Sequence, residues 1–434
     1  MRSVYTLLFF LALPGIWLRL LWKSRRLPGY RQRIGERFAI YPKGKAPSQS
    51  VLWVHAVSVG ECEAAFPLIK RLLELPEPPR VLMTATTPTG SSRIQTVLGS
   101  QVDHVYLPYD LPFLVERFLN RFQPQLAVIM ETEIWPNLFT ACRQRGVPLM
   151  IINGRLSDRS TRGYSRLMTL IAPALQSARR ILVQSDEDAL RYQSLGAHED
   201  SVIVCGNLKY DLHWDDTMVL ASQSLRRDLF EKRPVIVAGS THYGEEAPLL
   251  EAFLKLRVTH PTAVLVLAPR HPERSAEIFK LIRSQGLPVL CRSSSDSFTA
   301  DHAVLLIDGI GELRRFYGTA DVAYIGGSLI SHGGQNPLEP LIQGIPVIFG
   351  PSMENFREAR EKILNVGAGI EISDVESLHT AWLTLLSNPK EALRRGSAGR
   401  RLIEDNRGAL SRTLDQITQL WPKAAAHASF RGLS

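Results

Sequence analysis

Residues 51–75 read VLWVHAVSVGECEAAFPLIKRLLEL, and the stretch changes character halfway. Its first seven residues, VLWVHAV, form an apolar run of strand length. The run breaks at Ser58-Val59-Gly60, and Glu61 opens an amphipathic helix. A strand with no polar face that turns directly into such a helix is the unit of a parallel sheet covered by helices on both sides.

Moving outward, the same alternation recurs. Strand-sized runs follow at 81–87, 104–110, 126–131, 148–154, 180–185 and 202–207. The pattern weakens into a polar stretch between Lys209 and about Asp228. A second series then runs through 234–240, 263–269, 288–293, 303–308, 322–328 and 346–350. With 434 residues and 45% hydrophobic content there is material for two cores, so the expected fold is α/β with two Rossmann-like domains facing a central cleft. Ligands of such sheets bind beyond the carboxyl ends of the strands. The residues just after each run are therefore the candidates for function.

Upstream of residue 51 the composition is different. Residues 3–22, SVYTLLFFLALPGIWLRLLW, hold one charge, Arg19, and are long enough to cross a bilayer core. Lys23, Arg25, Arg26, Arg31, Arg33 and Arg37 follow against a single acid, Glu36. That bias places the rest of the chain in the cytoplasm. It also gives the formal net charge of +9 a membrane reading. A cleaved signal peptide fits poorly, because the basic cluster lies on the wrong side and no small-residue cleavage site follows. Pro14-Gly15 leaves a shallow, non-spanning insertion open beside a full crossing.

Five constellations carry chemistry. Glu61, at the first strand-to-helix turn, either complements the helix dipole or accepts a proton from an attacking hydroxyl; spacing leaves both open. Glu131 and Glu133 end an apolar strand, where they either meet a ligand or tie down the loop before Pro136. Asn153, Arg155 and Ser157, and then Asn207 and Lys209, follow strands in the same way. Pro269, Arg270 and His271 sit at another strand end, and a guanidinium there suits phosphate oxygens. Gly309, Ile310, Gly311 and Glu312 precede a short helix whose amides can receive a phosphate. Last, Asn336, Pro337, Leu338 and Glu339 follow Gly333-Gly334. They read as the N-cap, N1, N2 and N3 of a capping pattern, or as a phosphate turn with Glu339 on a ribose.

Other signatures are absent. There is no Walker A sequence, no G-x-S-x-G and no H-E-x-x-H. Asp186-Glu187-Asp188 reads as acids in the first turn of a helix rather than as a metal site. The four cysteines form neither a zinc pair nor a disulfide framework. No metal and no cofactor are expected.

Taken in order, RIGERF, HAVSVGE, TTPTGS, METEIWPN, NGRLS, GNLKYD, STHYGEE, APRHPER, GELRRFYGTAD, GGSL and GGQNPLEP resemble the 3-deoxy-D-manno-octulosonic acid (Kdo) transferases of lipopolysaccharide synthesis. The resemblance implies a GT-B glycosyltransferase that moves Kdo from CMP-Kdo to a lipid A precursor, lipid IVA, at the inner membrane, with no nucleic-acid partner. It implies an anchor at 1–22, an acceptor domain at 23–212, a CMP-Kdo-binding domain at 213–410 and a C-terminal helix and tail at 411–434 that packs back on the first domain. It also implies roles. Glu61 matches the general base, and Glu131 and Lys209 match residues that stabilise the transition state. Pro269-Arg270, Ile310-Gly311-Glu312 and Asn336 to Glu339 match the CMP contacts. Ala56 stands where many relatives carry serine, and Gly154 where some carry alanine. The rival readings are a membrane-associated GT-B transferase that uses a UDP-sugar and a non-catalytic sugar-nucleotide-binding protein.

Overall fold

The computed structural model describes residues 1–25, 28–41, 50–212 and 214–421. The chain divides into two compact units, Met1–Asp211 with Arg407–Ser434, and Leu212–Asn406. Of the expected tail at 411–434, the part beyond Trp421 lies outside the described residues, as does Arg26 of the basic cluster.

The first unit is a seven-stranded sheet in the order β3-β2-β1-β4-β5-β6-β7. Its strands are β1 (Val51–His55), β2 (Arg80–Ala85), β3 (Asp103–Tyr106), β4 (Pro124–Met130), β5 (Leu149–Gly154), β6 (Arg180–Val183) and β7 (Val202–Val204). Every pairing is parallel. Both faces are covered, which is why the strands read as unbroken apolar runs. Leu52 and Val54 of β1 pack into one core, with Leu68 and Leu72 of the helix Val59–Leu73. Val51 and Trp53 pack into the other, with Phe118 and Phe139. The helix Ala409–Leu420 joins the first core through Ala409 and Ile417, and Trp421 follows it there. Asp211 holds its start, accepting from the amides of Gly408 (2.7 Å) and Leu410 (2.8 Å).

RIGERF is a clamp on the edge of this sheet. Glu36 pairs with Arg33 and accepts the Tyr106 amide, both at 2.8 Å. Arg37 is buried, donates to the Thr86 carbonyl at 2.8 Å and stacks over the Tyr106 ring. Two members of the basic cluster therefore serve the fold rather than a membrane. Ahead of it, the helix Arg2–Lys23 is long and apolar enough to cross a membrane by length and composition.

The second unit is also a seven-stranded parallel sheet, in the order β10-β11-β9-β8-β12-β13-β14. Its strands are β8 (Val235–Thr241), β9 (Val264–Pro269), β10 (Val289–Cys291), β11 (Val304–Leu306), β12 (Val322–Ile325), β13 (Val347–Phe349) and β14 (Gly369–Glu371). The strand β14 was not expected: it carries one bulky apolar residue, Ile370, between a glycine and an acid, and has no period to read. In both sheets the strand order reverses beside the first strand, between β1 and β4 and between β8 and β12. Those are the switch points at which open α/β sheets bind ligands.

Candidate functional site

Glu61 lies at the switch point of the first unit. Ser58 caps the helix Val59–Leu73 and accepts the Glu61 amide at 3.4 Å. The capped turn folds the Glu61 side chain back, so that it accepts from the Val57 amide (2.7 Å) and the Ser58 hydroxyl (3.2 Å). Glu61 is 9% exposed. Burial, together with the charges of Glu131 and Glu133, raises its pKa from 4.5 to about 8, against the lowering effect of those two donors. At neutral pH a carboxyl of that kind is largely protonated and poised to exchange its proton.

Glu131 follows β4, the strand beside β1, with a left-handed backbone at φ 53°. A non-glycine residue held there marks a conformation the surroundings enforce, as such residues do at functional sites. The enforcement is visible: the Glu131 amide donates to the Ile152 carbonyl (2.9 Å), and its own carbonyl accepts from Tyr192 Oη (3.0 Å). Lys209 Nζ stands 3.9 Å from Glu131 Oε1. Burial raises the pKa of Glu133, and the Glu131 charge adds to the effect. The start of the helix Pro136–Gln144 is held by the buried Asp110, which accepts the amides of Asn137 (3.0 Å) and Leu138 (2.8 Å).

The residues flagged after β5 and β7 are mostly struts. Asn153, at φ 53°, accepts the Leu208 amide on its Oδ1 at 3.0 Å. Asn207 donates to Gln184 and accepts the Lys209 amide, both at 3.0 Å. Ser157 caps the helix Asp158–Ser165. Together the two asparagines fix the turn that carries Lys209. Asp188 of the acidic triplet accepts the Leu156 amide at 2.8 Å in the first turn of the helix Asp186–Ser194. Among the described residues, no group of three or more His, Cys, Asp or Glu is arranged to hold a metal ion. A cavity of about 780 Å³ lined by Ser50, Arg80, Asp103 and Trp421 opens at the amino ends of β1 and β2, away from all of this chemistry.

In the second unit, Pro269 ends β9 and Arg270 follows with an exposed side chain. Ile310 is 87% exposed, Gly311 has φ 96° and Glu312 pairs with Arg292 at 3.4 Å. Asn336 accepts the Leu338 amide at 3.0 Å, but the helix that follows is only Leu338–Leu341, with Pro337 at its cap position and no side-chain cap bond. The capping pattern is thus displaced by one residue. Gly333 and Gly334 have φ of 81° and 72°. A Cβ there would meet the Asn355 side chain at 2.5 Å and Met353 Sδ at 2.2 Å, so packing and the positive φ both favour glycine at the two positions.

Over residues 32–212 the chain matches the family model Glycos_transf_N, 3-deoxy-D-manno-octulosonic-acid transferase (kdotransferase). A 3-deoxy-D-manno-octulosonic acid transferase of Haemophilus influenzae is 37% identical over 417 residues, covering 96% of this chain and 98% of its own. The Bordetella pertussis protein of the same description is 36% identical over 430 residues, again covering 96% and 98%. The chain belongs to the Kdo transferase family. It is a glycosyltransferase, and its fold is of the GT-B type. The fold is shared with UDP-GlcNAc 2-epimerase of Neisseria meningitidis, at TM-score 0.56 and 14% identity, over 85% of this chain and 100% of that one.

In this Kdo transferase the sequence reading passed over the switch point of the second unit. Ser240, at φ 55°, sits at an irregularity near the end of β8. The His242 ring stacks on His332 at 4.5 Å, lies 5.7 Å from His271 and contacts Gln335 at 3.2 Å. Burial, with His332, His271 and Arg270 nearby, lowers the His242 pKa to about 4, so the ring is neutral. Glu245, fully buried, accepts from His242, Gly327, Ser328 and Leu329 amides and from Tyr324 Oη. The rule that strand ends carry function already covered STHYGEE.

Proposed function

We propose that this Kdo transferase moves Kdo from CMP-Kdo to lipid IVA in lipopolysaccharide synthesis, at the cytoplasmic face of the inner membrane. Glu61 is the general base. The acceptor hydroxyl oxygen attacks the anomeric carbon of Kdo as the bond to the CMP phosphate breaks. The hydroxyl proton goes to Glu61 and the bonding pair leaves with the phosphate oxygen. A single displacement of this kind inverts the anomeric configuration.

The observation that carries the reading is the Glu61 carboxyl, whose pKa near 8 matches a base working close to neutrality. Glu131 and Lys209 support it from the neighbouring strand ends, and the positive charge of Lys209 favours the departing phosphate. On the donor side, Pro269, Arg270, Ile310, Gly311, Glu312, Asn336, Pro337, Leu338 and Glu339 are the proposed CMP contacts. Charge is then neutralised by side chains and backbone amides rather than by a metal. Turnover is accordingly expected to persist in excess chelator; abolition by chelator and restoration by magnesium would remove that part of the mechanism.

Mass spectrometry of the lipid formed from CMP-Kdo and tetraacylated precursor tests the reaction. The expected product carries added Kdo. Thermal protection by UDP-sugars and none by CMP would assign the donor site to a different nucleotide.

A further inference from the structure

The N-terminal helix Arg2–Lys23 has two faces. Tyr5, Phe9, Leu13, Ile16 and Leu20 are half-buried, while Val4, Leu7, Leu11, Leu18 and Trp22 are exposed. Steps of three and four residues make each set one stripe of a helix, and the two stripes lie on opposite sides. Both are apolar, and among the described residues packing on the folded unit is seen for the half-buried one.

The partner is the first unit itself. Phe9 and Leu13 pack on Ala39, Leu111 and Leu114. Tyr5 Oη donates to Asp110 Oδ2 at 3.0 Å, and the Asn137 side-chain amide donates to Thr6 Oγ1 at 3.0 Å. At the other end Ser24 is buried and accepts from Arg31 Nε at 2.8 Å. Contact with the unit runs from Tyr5 to Leu13, and the same face stays half-buried to Leu20, about 22 Å from Tyr5 at 1.5 Å per residue. A helix that crosses a bilayer must leave its domain within a turn or two. This one would have to give up the Tyr5, Thr6, Phe9 and Leu13 contacts to do so.

The charges fit the same geometry. No acidic residue precedes Glu36, and Arg2, Arg19, Arg25 and Arg31 are exposed along or just beyond the helix. Arg19 at the flank of an exposed apolar stripe, Arg25 and Arg31 just beyond the helix, and Trp17 and Trp22 near the same end describe a helix that lies in a membrane interface.

We propose that this helix does not cross the membrane but rests along its cytoplasmic surface, with the stripe Val4, Leu7, Leu11, Leu18 and Trp22 sunk into the headgroup and acyl boundary of an anionic bilayer. The proposal rests on the membrane attachment given above, and its test separates the two. In inverted inner-membrane vesicles from a bacterial host, an epitope tag at the N-terminus of the full chain is expected to be digested as fast with the vesicles intact as after detergent. A tag protected until detergent is added would place the N-terminus across the bilayer and overturn the flat orientation alone. Absence of the protein from the vesicles would overturn attachment itself. With purified protein, vesicles containing phosphatidylglycerol are expected to bind at least tenfold more tightly than pure phosphatidylcholine. Leu11→Glu with Leu18→Glu is expected to lose at least tenfold on the anionic vesicles while melting as the parent does. Equal binding by parent and variant would remove the exposed stripe from the interface.

Discussion

Glu61 and Glu245 occupy the same place in two sheets of like design. Each follows the first strand of its unit, at the point where strand order reverses, and each lies at the start of a helix. Their surroundings part there. Glu245 receives five hydrogen bonds, three of them from the consecutive amides of Gly327, Ser328 and Leu329. Glu61 receives two and faces two further carboxylates. A buried carboxylate that is fully paired organises a loop. One left short of donors beside like charges is driven toward its protonated form and becomes available for proton transfer.

The largest expected effect breaks the comparison on the Glu61 side. Glu61→Gln keeps the shape and removes the base, so turnover should fall by about 10² to 10⁴ while CMP affinity stays near that of the parent. Stability should move the other way. A carboxyl whose pKa rises from 4.5 to about 8 on folding is no burden at low pH, when it is protonated in both states. It becomes increasingly destabilising between pH 4.5 and 8, as the unfolded chain ionises more readily. Glutamine lacks that penalty, so the variant should melt no lower than the parent at pH 7 and relatively higher at pH 9. Near-normal turnover would sink the catalytic role.

On the other side, Glu245→Gln leaves one acceptor oxygen where two served five donors. Buried groups left unpaired cost about 1 to 3 kcal/mol each, so the variant should lose roughly 3 kcal/mol or more of stability. What should survive in folded protein is the inflection of turnover near pH 8, because that limb reports Glu61. A lost inflection would show that the two glutamates do not divide their tasks in this way.

A smaller effect sharpens the first region. Lys209→Met removes the positive charge 3.9 Å from Glu131, leaving the Glu131 charge to act on Glu61 unopposed. Turnover at pH 7 should drop about tenfold, a change near 1.4 kcal/mol in the barrier, and the pH–rate limb should move to higher pH. A drop without that movement would confine Lys209 to the leaving group.

Most strands were legible because both sheet faces are buried, which writes each of them as an apolar run, whereas the strand order that makes the switch points comes only from tertiary pairing. Glu61 was legible for the same reason, since a carboxylate directly after such a run stands out. The pairing of Glu245 was not, because its donors lie 82 to 84 residues away along the chain. The docked face of the N-terminal helix was hidden in a different way: Tyr5, Phe9 and Leu13 look like their exposed neighbours, and only tertiary contacts tell the two stripes apart. The left-handed backbones at Glu131, Asn153 and Ser240 leave no mark in composition at all. The close approach of Asn355 and Met353 to the glycine pair at 333 and 334 is likewise invisible in sequence.

The smallest effect tests the link between cap and base. Ser58 accepts the Glu61 amide at 3.4 Å and donates to Glu61 Oε1 at 3.2 Å, so it is both an N-cap and one of the two donors holding the Glu61 pKa down. Loss of a serine cap costs about 0.5 to 2 kcal/mol, and the long amide bond argues for the lower end. Ser58→Ala should therefore lower the melting temperature by only a few degrees. It should also raise the Glu61 pKa further, because the charged form loses a donor. At pH 7 a smaller fraction of Glu61 is then ionised and turnover falls a few-fold; at pH 9 ionisation recovers and most of the loss disappears. A serine that merely starts a helix would give the same small loss of stability with an unmoved pH profile. Measuring turnover from pH 6 to 9 on parent and variant distinguishes the two, and an unmoved profile would mean that the limb near pH 8 does not report Glu61.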